Sequence, residues 1–431
     1  MAAANHATEI ITTPGLYFFG SDIIYEPTTN NEAILQISAS NVTINLDNHT
    51  LSQLNTNTYT GTIGILIDQD LTNIVIENGQ ILDLPQGVGI RVLEGNFDTT
   101  LRNIDIIGAG KRGISCEGTA LHQIGNAEFI DVRIIDCSED IDGDCGILFE
   151  NCKNAAINNT TVHSCGNSGA AFDAFKLINC SNFEFYDCDI KNNTGSTFNG
   201  LSLTSSLNNI VERTRAINNS SGTGSCFCFT INTGSNGNTF SECLAQSNIS
   251  TTTIEVAGFV VNGATACALL DCTARSNIGS GNGSIVYGFK STDNTTLTAD
   301  GCAASHNQQT NSGNTYGFYW NNTNRSILSN SVSESNSGDD ECCGIYFSSC
   351  NDCHIRNNES LYNIGINFTR GLRLANSPNH VALSNVAFSN GTTGTEQISG
   401  LNALETSDLN TGIANLAAIT YPWINIRAFN P

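Results

Sequence analysis

The residues best suited to chemistry lie in two short acidic runs and one widely spaced column. The first run is Ser138-Glu139-Asp140-Ile141-Asp142-Gly143-Asp144, followed at some distance by Asp173. On an extended segment, alternate carboxylates sit about 6.6–7 Å apart at their Cα atoms, a spacing suited to paired acid/base work or to a hard cation. Asp142, Asp144 and Asp173 are therefore the candidate metal ligands, and Ca2+ is the one cofactor they could take. The run opens like a calcium loop. It has Cys145 where such a loop needs glycine and Asn151 where it needs glutamate, so no EF-hand follows. The second run, Asp339-Asp340-Glu341, precedes Arg370 and Arg373. Here Asp340 or Glu341 could act as acid/base, with Arg373 on the substrate. The column is Lys290, Tyr319, Tyr346 and Arg373. Tyrosine faces stack on sugars, while Lys and Arg hold hydroxyls or carboxylates, so Lys290, Tyr319, Tyr346, Arg370 and Arg373 form a candidate glycan-binding set. Each group also has a plainer account, as a solvated acidic turn, a salt-bridged turn or exposed strand positions that favour Tyr.

Residues so far apart in sequence meet only if the chain repeats. The 431 residues are rich in Asn, Ser, Thr, Gly and Ile and poor in Glu/Lys pairs and Met, which disfavours helix. A small residue followed by an apolar one recurs as GIRV at Gly89, GISC at Gly113, GILF at Gly146, AFKL at Ala174 and GLSL at Gly200. It continues as CFCF at Cys226, GFVV at Gly258, GFKS at Gly288, GFYW at Gly317, GIYF at Gly344 and GLRL at Gly371. Starts are about 24 to 33 residues apart, the length of one solenoid turn. Apolar residues fall one and three places after each start, the alternation of a strand with one buried face. The first inward column then runs Ile147, Phe175, Leu201, Phe227, Phe259, Phe289, Phe318, Ile345, Leu372. Second strands follow about nine residues on, as in Asn182-Phe183-Glu184-Phe185. Fourteen residues after the start comes a corner column of Cys188, Thr214, Cys272, Cys302, Ser331, Asn358 and Asn385, joined by Cys243 if its coil carries an insertion.

Like residues stacking on like about 4.8 Å apart build a continuous core without helix. The fold class is all-β, a single-stranded right-handed parallel β-helix of about 12–13 coils. Residues 33–400 form the helix, residues 1–32 an N-terminal cap, and residues 401–431 a C-terminal cap with a short helix after Ser407-Asp408. Many of the 17 cysteines occupy ladder positions, which makes them reduced space-fillers rather than disulfides or zinc ligands. With this repeat the chain resembles the pectate-lyase-like superfamily of right-handed parallel β-helices. The resemblance is carried by coils such as Gly146-Ile147-Leu148-Phe149-Glu150-Asn151-Cys152-Lys153-Asn154.

That resemblance implies a glycan or polysaccharide partner, and it extends to the architecture alone. The Asn-Thr-Asp, Gly-His-Gly and Arg-Ile-Lys signatures of polygalacturonases are missing, as are Trp-x-Asp-His and Arg-x-Pro-x-x-Arg of pectate lyases. A noncatalytic surface, spike or virion protein that displays or binds glycans therefore ranks first. A polysaccharide lyase or glycoside hydrolase ranks second, and a purely structural rod third. A net charge of -23 with only 17 Lys and Arg argues against nucleic acid. No apolar run reaches the roughly 18 residues of a membrane span, and Met1 to Glu9 lacks the regions of a secretory signal. The expected setting is extracellular, cell-surface or virion, with a homo-oligomer, for instance a trimer, compatible with the pattern.

Overall fold

The computed structural model describes residues 8–54, 60–138, 144–252, 254–377, 381–388, 390–391, 396–399 and 411–412. Every regular element among them is a strand, and each strand pairs in parallel with its counterpart one turn away. The architecture is a β-solenoid of about 13 turns with three parallel sheets. Two compact units, Met1–Arg215 and Ala216–Pro431, divide the chain. The segment expected to close the C-terminal end lies outside the described residues, apart from the strand Thr411–Gly412.

In the first unit the opening strands Glu9–Ile11, Gly15–Phe18 and Ile23–Tyr25 pair with Ala33–Ile37, Val42–Asn45 and Thr50–Gln53. One long strand per turn then builds the first sheet, in which Ile90, Ile114, Ile147, Phe175 and Leu201 follow one another in register and are fully buried. The corners are turned by residues in the left-handed region, where Asn and Asp are the least strained side chains after Gly. Asn126, Asn154 and Asn182 have φ near 55°, 54° and 58°. They also stack, Asn182 Nδ2 donating to Asn154 Oδ1 at 3.0 Å. The abundance of Asn is thus a requirement of the corners.

In the second unit the first sheet runs through Cys226–Ile231, Glu255–Asn262, Ile285–Thr292, Asn314–Asn321, Glu341–Ser348 and Phe368–Ala375. Its core is a phenylalanine stack: Phe229–Phe259, Phe259–Phe289 and Phe289–Phe318 have ring centroids 4.9, 4.8 and 4.8 Å apart and nearly parallel planes. The member from the first of these turns is Phe229, whereas the sequence pattern indicates Phe227. In Cys226-Phe227-Cys228-Phe229 either cysteine can serve as the small residue that starts a coil, and the register chooses Cys228, pairing Phe229 with Phe259 and Phe227 with Ala257. A small residue is required there by close approach. At Gly288 an added Cβ would lie 2.6 Å from both Ala304 Cβ and Gly317 O.

Two polar ladders run inside this unit. The expected corner column is one of them. Cys302 N donates to Ser331 Oγ (3.2 Å), Ser331 N to Asn358 Oδ1 (3.0 Å) and Asn358 N to Asn385 Oδ1 (3.1 Å). The second ladder consists of Asn219, Asn248, Asn277, Asn307, Asn336, Asn363 and Asn390, all fully buried. Each Oδ1 accepts from both the backbone N and the Nδ2 of the asparagine one turn earlier, as in Asn277 to Asn307 at 3.2 and 2.9 Å. The second Nδ2 hydrogen goes to a backbone carbonyl, for Asn307 that of Ala274 at 2.9 Å. Two donors and two acceptances satisfy the whole amide, the condition on which burying it depends.

Replacing Asn307 by Ala leaves the Asn277 backbone N–H and one of its Nδ2 hydrogens without an acceptor and removes the side-chain bond to the Ala274 carbonyl. At about 1–3 kcal/mol for a buried unsatisfied group, the variant should lose about 3 kcal/mol or more in denaturant unfolding. A loss under about 0.5 kcal/mol would show that the ladder contributes nothing net.

All 17 cysteines are buried and free. Burial pushes many of these thiols up, to about 12 for Cys188 and Cys226, which removes the reactive thiolate there, while a hydrogen bond with Cys353 lowers Cys350. Protein prepared without reductant should therefore give close to 17 thiols per chain after denaturation and almost none in the native fold. Recovery of few thiols after denaturation would mean that the ladders are oxidised.

Candidate functional site

The strands of the second unit bend at the coil-start glycine, so Gly288 and the following Phe289 both turn inward while Tyr287 and Lys290 turn outward. Repeated through the stack, this gives outer columns in exact register. Tyr287 pairs with Tyr316, Tyr316 with Cys343 and Cys343 with Arg370. Lys290 pairs with Tyr319, Tyr319 with Tyr346 and Tyr346 with Arg373. The second column is the one indicated by sequence. The first adds Tyr287 and Tyr316, which precede the glycines in Tyr287-Gly288-Phe289 and Tyr316-Gly317-Phe318. Strict alternation from Phe289 would turn Tyr287 inward, and the bend at glycine is why that inference fails.

The four tyrosines interlock. Tyr287 stacks on Tyr316 with centroids 5.5 Å apart, and Tyr316 on Tyr346 at 5.7 Å. Tyr319 sits edge-on against Tyr346 at 5.4 Å and tilted over Tyr287 at 5.2 Å and Tyr316 at 5.0 Å. They form an apolar cluster of their own with Ala257, Val260 and Cys343, against which Phe227 and Ile285 pack. Tyr287 and Tyr316 are almost covered, whereas Tyr319 and Tyr346 are half-buried. Burial, with Glu255 and Glu341 nearby, pushes the Tyr287 and Tyr316 phenols well above their usual range, so they stay neutral donors.

Charges close both ends of the cluster. At one end Lys290 Nζ lies 2.6 Å from Glu255 Oε2 and 5.0 Å from the Tyr287 ring centroid. At the other, Glu341 Oε1 accepts from Arg370 and, at 3.0 Å, from Arg373, whose guanidinium lies 4.6 Å from the Tyr346 ring centroid. From the strand of Glu255 to that of Arg373 is four strand steps, about 19 Å. Asp340 stands apart. Its carboxylate accepts from Asn367 Nδ2 at 2.9 Å in the exposed turn, leaving Glu341 as the acid of that run on the tyrosine face.

In the first unit, Asp144 and Asp173 come together around Lys176, whose Nζ is 3.1 Å from Asp144 Oδ2 and 3.8 Å from Asp173 Oδ2. Asp142 lies outside the described residues. Burial works to raise the Asp144 carboxyl, but the Arg112 hydrogen bond at 2.7 Å and the Arg112 and Lys176 charges prevail and hold it at about 2. Asp173 goes the other way. Burial pushes it up to about 6, against Lys176 and a hydrogen bond from Asn199 Nδ2 at 2.6 Å. No group of three or more His, Cys, Asp or Glu disposed to hold a metal ion occurs among the described residues. Nor is any helix among them long and apolar enough to cross a membrane.

No family model and no curated protein matches the chain. Among solved structures it is similar to the A-module of mannuronan C-5 epimerase AlgE6 from Azotobacter vinelandii, at 11% identity over 90% of this chain and 92% of that one, with a TM-score of 0.46. It is also similar to PfbA, a surface adhesin of Streptococcus pneumoniae, at 11% identity over 89% and 85% of the two chains and a TM-score of 0.42. A third is the Dettilon tailspike protein, at 15% identity over 67% and 58% and a TM-score of 0.35. With TM-scores under 0.5 these likenesses carry no argument about activity. The strands pair in parallel from turn to turn, and with the right-handed connections of parallel strands the chain is a right-handed parallel β-helix.

Proposed function

We propose that the chain is a noncatalytic, surface-type protein that binds glycans through the tyrosine face of its second unit. The observation behind this reading is the interlocked set Tyr287, Tyr316, Tyr319 and Tyr346, closed at its ends by Lys290 and by Arg370 with Arg373. The face is about 19 Å long between its end charges, with tyrosine rings over about the central 10 Å; it accepts about three sugar rings, loses little side-chain freedom on binding, and offers charged donors at each end. Glu341 is held by two guanidiniums, so its work on this face is to position Arg370 and Arg373.

A glycan array identifies the ligand. Replacing Tyr319 or Tyr346 by Ala should then weaken binding by about 1 kcal/mol or more each, with the fold retained in thermal unfolding. Unchanged titrations for the double variant would eliminate this face.

A glycan-cleaving lyase or hydrolase is the second reading, and the first unit supplies its support. Asp144 and Asp173 are two neighbouring carboxyls driven apart to about 2 and about 6, a division of labour that acid/base chemistry uses. Against an ordinary 3.8, the folded state holds a proton on Asp173 that the unfolded state has released. Stability from this group therefore falls as pH rises from about 4 to 6 and is fully lost above. Asp173→Asn should stabilise the protein at pH 8 by about 3 kcal/mol and change little at pH 3.5. It should also abolish turnover of any glycan that the wild type cleaves. Equal effects on stability at both pH values would refute the titration, and undiminished turnover would refute the catalytic role.

A further inference from the structure

We infer that the first unit carries a separate binding cleft for an oxyanion-bearing sugar or similar compact ring, built around Arg91, Lys111 and Arg112. The cleft has a volume of about 300 Å³, with Ile63 and Val88 as apolar walls and Glu117 as the acid among its charged lining residues. That size sits at the lower end of small-molecule sites and holds about one ring. The lining carries three cations and one carboxylate, and with Asp144 bound to Arg112 a positive surplus still remains, in a chain of net charge -23 with 17 Lys and Arg.

The cleft is also prearranged. Glu117 bridges the two arginines, accepting from Arg91 Nη2 at 2.6 Å and from Arg112 Nη1 at 3.2 Å, while Ser115 Oγ donates to the same carboxylate at 2.6 Å. The Arg112 Nε is fixed by Asp144 at 2.7 Å. These bonds hold both guanidiniums in place and leave donors unused. Arg91 Nε has no hydrogen-bond partner among the described residues, so that guanidinium is tied to the protein by its Glu117 contact alone and keeps donor capacity to spare. Lys111 forms no ion pair among the described residues and adds a third positive charge to the lining. A carboxylate or sulfate group would take the Arg91 and Lys111 donors while the carbon face of its ring lies on Ile63 and Val88.

The test is calorimetric titration of the full chain with glucuronate, with glucose 6-sulfate and with glucose. Saturable, salt-sensitive binding of one or both charged sugars and none of glucose is expected, and their relative affinity tells carboxylate from sulfate. Lys111→Gln and Arg91→Gln should each weaken it about tenfold or more. Tyr319→Ala should leave it unchanged, which separates this cleft from the tyrosine face. Lys111 is half-buried and forms no ion pair among the described residues, so its variant decides the matter even if Arg91→Gln fails to fold. No saturation by either charged sugar up to about 10 mM, equal binding of glucose, or affinities untouched by Lys111→Gln would overturn the inference.

Discussion

The structure depends on one constraint: a side chain that turns inward must be satisfied by its counterpart in the turns directly above and below. For Phe229, Phe259, Phe289 and Phe318 this means ring on ring at about 4.8–4.9 Å, the spacing of the strands themselves. For the buried asparagines it means more, because an amide brings two donors and an acceptor that water no longer reaches. The ladder from Asn219 to Asn390 meets that demand by having each amide serve the next. A shift by one residue would break every rung, so the ladder fixes the register as well as filling the corner.

The same register writes the outer surface. Because counterparts stack in line, a tyrosine repeated in neighbouring turns becomes a continuous platform, and a carboxylate one turn from an arginine becomes an end clamp. Lys290 with Glu255, and Arg370 and Arg373 with Glu341, are contacts between residues about 30 apart in sequence that are neighbours only through the coil. In the first unit the same geometry gathers Arg91, Arg112, Glu117 and Asp144 into one hydrogen-bonded group.

Much of this was legible in the sequence, and the exceptions have physical causes. The coil starts, the Ile147–Phe175–Leu201 column and the Lys290–Tyr319–Tyr346–Arg373 line follow from a small residue preceding an apolar one, since only small side chains fit where turns approach closely. Phe229 was hidden because Cys226 and Cys228 are both small enough to begin the coil. Tyr287 and Tyr316 were hidden because the bend at glycine suspends strict alternation. The asparagine ladder was hidden by abundance. Corner asparagines in the left-handed region outnumber the buried ones, and nothing in the residue type separates the two roles. The pairing of Asp144 with Arg112 and Lys176 joins neighbouring turns through side chains of different length, which a column of sequence positions does not reveal.

The ladder also marks where such a chain can change length. From the coil-start glycine to the buried asparagine the distance is fixed, Gly288 to Asn307, Gly317 to Asn336 and Gly344 to Asn363 each spanning nineteen steps. From the asparagine to the next glycine it varies, with eleven steps from Asn277 to Gly288, ten from Asn307 to Gly317 and eight from Asn336 to Gly344. Insertions and deletions thus concentrate at one corner, the one that delivers the chain into the tyrosine-bearing strands, the coil from Cys228 to Asn248 with its twenty steps being an exception. Loops can lengthen beside the outer face while the interior stays invariant, so ligand preference can diversify at that corner without the core being redesigned.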